Sequence, residues 1–211
     1  MRTSSGPESF LQHFSRFATA ISVVGVSLLA FAGPLEAQIV YHSAHITIDD
    51  GVYNLDLNGD GVTDFTIDSH AEGKCSIPED GGFGILSVTP SSSGNGAIVG
   101  PLTKGDEIGP DQGFAEGELQ LAEYMIAEYP RGCGLDWTGP WFGANVNYVA
   151  KGYLGLSFQL NGETRYGWAE LTVRVPIHLA NGKPGVSATL TGYAYETTPG
   201  KAITASDKTG D

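Results

Sequence analysis

Basic residues are scarce: 11 Lys and Arg stand against 24 Asp and Glu in 211 residues, for a formal charge of −13. Recognition of a phosphate backbone needs clustered cations that displace counterions, so a nucleic-acid partner is excluded as an expectation, as is docking on an anionic membrane surface. Cysteine is nearly absent, at two residues, Cys75 and Cys133, and there is no paired Cys or Cys/His spacing of a zinc site. Also missing are a Gly-x-Ser-x-Gly elbow, a His-Glu-x-x-His helix and a Glu-x-Asp-x-x-Glu carboxylate pattern, the commoner short signatures of hydrolytic enzymes. No internal repeat is evident, which disfavours a solenoid or propeller. What is abundant is glycine, 30 residues, beside 41% hydrophobic residues that suffice for a core. Rich glycine with short apolar runs and scattered aromatics points to a turn-rich all-β chain.

One apolar stretch stands apart. Arg2 and Arg16 precede an unbroken apolar and small run from Phe17 to Ala32, which ends at Gly33-Pro34. That run is short of the roughly 20 residues needed to cross a bilayer and reads as a secretory signal, residues 1–37, cleaved after Ala32 or Ala37. Its removal takes two basic and two acidic residues, so the acidity belongs to the rest of the chain. Export makes a Cys75–Cys133 disulfide the expected state of the two thiols; closing 58 residues, it is worth about 4 kcal/mol in the loop-entropy account. The remainder is expected as one domain, residues 38–200, with a flexible tail over 201–211 and no membrane anchor. The predicted location is secreted, extracellular or at the cell surface.

Short alternating segments at 39–41, 45–48, 52–57 and 64–67 read as strands. Residues 72–147 are looser, with loops marked by Gly81-Gly82, Ser91 to Gly94 and Gly109-Pro110 around short strands at 83–88 and 97–99. Within this long irregular region Leu119, Ala122, Met125 and Ile126 recur at near-helical spacing, so residues 116–129 read either as one short helix or as a loop with an irregular strand. The last sixty residues are clearer. Leu154, Leu156, Phe158 and Leu160 alternate with polar or small residues up to Asn161-Gly162, a strong two-residue hairpin signal. That turn sets Leu156 opposite Gly167, Leu154 opposite Ala169 and Gly155 opposite Trp168. One face then gathers Leu154, Leu156, Phe158, Ala169, Leu171 and Val173, and the other Lys151, Tyr153, Tyr166, Trp168 and Glu170. A further strand at 187–195 splits into Ala188, Leu190 and Ala194 against Thr189, Thr191, Tyr193 and Tyr195. An apolar sheet face needs a second layer, so the expected fold is an antiparallel β-sandwich.

The most specific chemical signal is the segment Asp56-Leu57-Asn58-Gly59-Asp60-Gly61-Val62-Thr63-Asp64-Phe65. Side-chain oxygens of Asp56, Asn58, Asp60 and Asp64 fall at loop positions 1, 3, 5 and 9, Gly61 permits the sharp turn, and Val62 offers its backbone carbonyl at position 7. An all-oxygen, flexible donor set suits Ca2+ better than Mg2+, and the lack of nearby Cys or His disfavours zinc. Ile67 occupies position 12, where an EF-hand places a bidentate carboxylate, and strand-like residues flank the loop. A calcium-bound hairpin turn is therefore expected. The loop resembles the Asp-x-Asn-Gly-Asp-Gly-x-x-Asp loops of secreted bacterial FG-GAP-like repeats. Nine acidic residues fall within 49–80, with only Lys74 opposing them.

A wider resemblance is carried by Tyr153-Leu154-Gly155-Leu156, by Asn161 to Leu171 with its Tyr166-Gly167-Trp168 core, and by Leu190 to Thr197 (LTGYAYET). With the Asp-rich loop ahead of them, these resemble a group of uncharacterised secreted bacterial proteins with a "YLGLxF…YGWxxL…GYAYE" pattern, over roughly residues 50–200. Many members end in a surface-sorting tail that this sequence does not show, and Arg165 and Glu170 stand where relatives often have His and Arg. The resemblance implies export and an all-β domain, with no established activity to carry over.

Three functional classes follow. A calcium-stabilised sandwich with a structural, adhesive or extracellular-matrix role is the expected one, with self-assembly or other surface proteins as partners. Second, Tyr153, Tyr166 and Trp168 form an aromatic row that either packs under the middle loop, with Trp168 over the bare Gly155 backbone, or offers a platform for an extracellular polysaccharide. Trp137 and Trp141 read as loop anchors or ligand contacts. Third, a glycoside hydrolase would need paired carboxylates about 5–10 Å apart, for which Glu170 with Glu163 or Glu196 are the nominees. No catalytic residue is expected. His42 and His45 fall on opposite faces of a strand, and His70 and His178 are isolated.

Overall fold

In the computed structural model the residues described are 38–76, 80–129, 132–142, 149–175 and 185–209. The expected signal peptide lies outside them. Every element among them is a strand, and the described part is all-β and antiparallel, a sandwich-like arrangement of two five-stranded sheets. The first sheet runs in the order β1 (Ile39–Ile48), β11 (Ser187–Glu196), β10 (Glu163–Arg174), β9 (Val149–Leu160), β5 (Gly96–Ala97). The second runs β2 (Gly51–Leu55), β3 (Phe65–Ser76), β4 (Asp80–Pro90), β7 (Leu119–Tyr129), β8 (Gly132–Thr138). A small ribbon pairs β6 (Glu107–Ile108) with β12 (Ile203–Thr204).

The main core lies where the apolar faces of both sheets meet. Leu154, Leu156, Phe158, Leu171, Val173 and Leu190 from the first sheet pack with Leu55, Phe65, Ile67, Leu86 and Val88 from the second, all fully buried. The β9–β10 hairpin has the register its turn residues dictate: Gly167 opposes Leu156, Trp168 opposes Gly155 and Ala169 opposes Leu154.

Two departures from the sequence reading have one cause, the β-bulge, which adds a residue to one strand and reverses its inside-outside alternation. On β11 the register slips between Glu170 and Leu171 of its β10 partner, leaving Thr191 as the extra residue. Beyond it the faces exchange: Tyr195 and Tyr193 join the main core, and Ala194 crosses to the side of Trp168. On β7 a slip between Leu86 and Ser87 of β4 leaves Leu121 unpaired, so Leu119, Leu121 and Ala122 are all buried. That broken alternation imitates helical spacing. Residues 119–129 are strand, not helix, and among the described residues the irregular part of this region is 91–118, with two short strands, and 139–142.

The two cysteines expected to form a disulfide fall in strands of the second sheet. The side chains of Cys75 and Cys133 lie outside the described residues, but their strands β3 and β8 are separated in the sheet by β4 and β7.

The segment expected as a tail does not hang free. Residues 201–209 fold back over the outer face of the first sheet: Ile203 and Ala205 are buried there, and the ribbon with β6 fastens them. Ala205 accepts from the Gly105 amide at 3.1 Å and donates to Asp106 at 2.8 Å through the backbone.

Candidate functional site

The Asp-rich segment closes a hairpin. β2 and β3 pair until Leu55 opposes Phe65, and residues 56–64 form the connection between them. Its ends are fixed from within, since Leu55, Leu57 and Phe65 are fully buried and pull the loop's two roots into the core. Between those roots the chain turns back on its own side-chain oxygens. Asp56 Oδ1 accepts from the amide of Gly59 at 2.7 Å, and Asp56 Oδ2 from that of Gly61 at 2.7 Å. Asn58 Oδ1 accepts from the Asp60 amide at 2.9 Å, and Asp60 Oδ1 from the Val62 amide at 2.8 Å. Gly59 and Gly61 sit at φ 75° and 86°, left-handed conformations in which a side chain is strained.

Asp64 differs from the other carboxylates. It is 7% exposed, whereas Asp60 is exposed. Its Oδ2 accepts from the buried Leu57 amide at 2.8 Å, and its backbone N–H bonds to the Leu55 carbonyl at 2.9 Å. Burial pushes the Asp64 carboxyl up to about 6; the Leu57 amide opposes that rise, and the charges of Asp56 and Asp60 add to it. The oxygens named from the sequence are thus drawn to one short turn, with Asp56 and Asp60 near enough to raise Asp64. Among the described residues no three His, Cys, Asp or Glu side chains stand as a group able to hold a metal ion. The carboxylates are turned instead to loop amides. The chemistry of the set, side-chain and backbone oxygens only, is that of a hard divalent cation.

The raised Asp64 carboxyl sets a pH dependence for the cation-free protein. Its folded value of about 6 exceeds its ordinary 3.8, so the folded state binds the proton more tightly and stability is gained as pH falls from 6 toward 3.8. Between pH 7.5 and 5 in chelator, Asp64 contributes about 1 kcal/mol in that direction. Urea melts at the two pH values check this, with Asp64→Asn expected to remove the contribution.

The aromatic row is covered. Trp168 is fully buried and Tyr166 is 6% exposed, within a second apolar cluster that includes Ile108, Ala194, Ile203 and Ala205. Trp168 meets Tyr153 edge-on at 5.3 Å and Tyr41 at 5.9 Å, and its indole N–H donates to the Asp207 carbonyl at 3.1 Å. Phe114 from the irregular region stacks on Tyr166 at 5.6 Å. The bare backbone of Gly155 is filled by Ile98 and Leu102; a Cβ there would lie 2.7 Å from Ile98 Cδ1. A stacked sugar would need exposed ring faces at Trp168 and Tyr166, and these are occupied by the chain itself. The row is a packing feature, and the platform expectation for Tyr153, Tyr166 and Trp168 is corrected accordingly. Trp141 is likewise an anchor, fully buried with its N–H donating to the Val99 carbonyl at 2.9 Å, while the Trp137 side chain lies outside the described residues.

The nominated carboxylates have separate surroundings. Glu163 and Glu170 lie seven residues apart on one strand, which places them on opposite faces and roughly 23 Å apart. Glu170 receives Lys151 at 3.0 Å and the Thr191 hydroxyl at 2.8 Å. Burial raises its carboxyl, but the bonds from Lys151 and Thr191 and the charges of Lys151 and Lys208 outweigh that and hold it below the ordinary value, the wrong direction for a general acid. Glu196 is buried, with the Thr198 amide at 2.8 Å and Lys201 at 3.5 Å. His42 stacks on Tyr193 and His70 bonds Glu72 at 3.1 Å; His178 lies outside the described residues.

Sequence reasoning missed Asn95. It is 1% exposed and bonded to both the Asp-rich loop and β9. Its only sequence signal is a polar residue after Ser92-Ser93-Gly94, which reads as ordinary turn composition. No family model, curated protein or solved structure matches the chain.

Proposed function

We propose that the 56–64 loop takes up one Ca2+ ion and that the protein is a calcium-stapled β-sandwich serving a structural or adhesive role outside the cytoplasm. The observation that carries the reading is Asp64, a nearly buried carboxylate at the root of the hairpin, raised further by Asp56 and Asp60. A divalent cation removes that repulsion, and the side-chain oxygens of Asp56, Asn58, Asp60 and Asp64 with the Val62 carbonyl are the groups that would hold it. Its contribution is electrostatic cross-linking, the tying of two strand ends through one ion.

A structural role is favoured over recognition by the covered aromatic cluster, and over catalysis by the carboxylates, which are engaged in separate bonds. The apolar run before Gly33-Pro34 supports secretion or surface display, where calcium is abundant. Other surface proteins or further copies of the chain are the partners this role implies.

Thermal melts of wild type and Asp60→Ala test the reading. Asp60 is exposed, so its replacement leaves the cation-free protein within about 0.5 kcal/mol of wild type. Calcium should raise the wild-type Tm and leave that of Asp60→Ala unmoved. Equal wild-type melting in calcium and in chelator would remove the cation from the account.

A further inference from the structure

We infer that Asn95 is a positioning residue: it holds Asp64 at the end of the loop and joins it to the β9–β10 hairpin of the opposite sheet, so that cation uptake tightens both. This rests on the calcium reading above. Asn95 Nδ2 donates to the Asp64 carbonyl at 3.2 Å, and Asn95 Oδ1 accepts from the backbone amide of Gln159 on β9 at 2.9 Å. The first partner belongs to the β2–β3 connection and the second to the other sheet. A single planar amide, 1% exposed, thus spans the edge of the sandwich.

The connection is braced at both ends. The Asp64 carbonyl also accepts from the Ser91 amide at 2.9 Å, and the Asn95 amide turns back to the Ser92 carbonyl at 3.2 Å. On the far side, Gln159 Nε2 donates to Thr164 Oγ1 at 2.9 Å and to the Gly94 carbonyl at 3.3 Å. Thr164 opposes Gln159 across the hairpin, so the chain of bonds reaches β10 within one further link.

The chemistry asks for this residue type. The position needs one donor and one acceptor on a short, flat group: aspartate would set an anionic oxygen against the Asp64 carbonyl, and serine is too short to span both partners. The bond to the Asp64 carbonyl is buried, so on that side no solvent stands in for it. Asp64 is held on two sides, its carboxylate by the Leu57 amide and its carbonyl by Asn95 and Ser91. Fixing the carbonyl limits where the carboxylate can point, which is how a residue that does not touch the ion governs its affinity.

The test uses the full chain, calcium chloride as the probe, and two readouts: calorimetric titration and amide hydrogen exchange. In wild type, calcium should slow exchange of the Gln159 amide about tenfold more than that of Ala188, on the far part of the same sheet. Asn95→Ser should weaken calcium binding about fivefold, the equivalent of one lost hydrogen bond, and abolish the excess protection at Gln159. Val173→Ala, a destabilising change away from the loop, should leave calcium affinity at the wild-type value. Asn95→Ser binding calcium as tightly as wild type overturns the inference, as does Gln159 exchange no more responsive than Ala188 in a protein that binds the ion. If Asn95→Ser does not fold, the wild-type exchange comparison decides alone. Absence of calcium binding by wild type is a separate outcome: it overturns the calcium reading and the coupling with it.

Discussion

Trp168→Ala is expected to destabilise the protein by about 3–5 kcal/mol, the range for emptying a buried aromatic site. The indole is fully buried, touches Tyr41 and Tyr153, and donates to the Asp207 carbonyl. Its loss removes the floor on which residues 201–209 lie, so a second consequence follows. That segment should become the first site of limited proteolysis, before the sandwich unfolds. Trp168→Phe keeps the ring but drops the N–H, and should lose only about 1–3 kcal/mol, chiefly the unsatisfied Asp207 carbonyl and the smaller ring. Urea melts and timed proteolysis of the three proteins check the series. Wild-type stability in Trp168→Ala, together with loss of binding to a polysaccharide, would instead make the indole an exposed contact.

Asp64→Ala should produce a loss of similar size, and in two separable parts. In chelator it leaves the buried Leu57 amide without its acceptor, a cost of about 1–3 kcal/mol. In calcium at a hundredfold above its dissociation constant, it also forfeits about 2.7 kcal/mol of linkage stabilisation. Asp64→Asn separates the parts. Its side-chain oxygen still accepts from Leu57 and its charge is gone, so at pH 7.5 in chelator it should match or exceed wild type. In calcium it should fall below wild type. The crossing of the two curves is the signature of a buried charge whose purpose is the ion, because a purely structural carboxylate would rank the same in both conditions.

How much of this was legible in the sequence depends on local parity. The β9–β10 hairpin was readable to the residue pair, since the Asn161-Gly162 turn sets the register and no bulge intervenes before Arg174. The Asp-rich loop was readable as a hairpin connection for the same reason: its flanks alternate cleanly into Leu55 and Phe65. The faces of residues 193–195 were not, because Thr191 inserts one residue and reverses them. Leu121 did the same to 119–129 and left helix and irregular strand equally readable there.

The site was legible as chemistry and not as architecture. Spacing named the oxygens of Asp56, Asn58, Asp60 and Asp64, but nothing local announces that Asp64 is buried while Asp60 is exposed. That difference comes from the packing of Leu57 and from Asn95, 31 residues further on. The aromatic row posed the converse problem. Its residues share a face by pattern, but what covers them is Ile203 and Ala205 in a segment whose composition, KAITASDKTGD, reads as tail.

The most direct measurement is a calorimetric titration of the chelator-treated full chain with calcium chloride at pH 7.5. One ion per chain is expected, with a dissociation constant of about 0.1–1 mM as for extracellular modules, and no heat from Asp60→Ala under the same conditions. A wild-type titration with no binding isotherm, or one unchanged by Asp60→Ala, would contradict it.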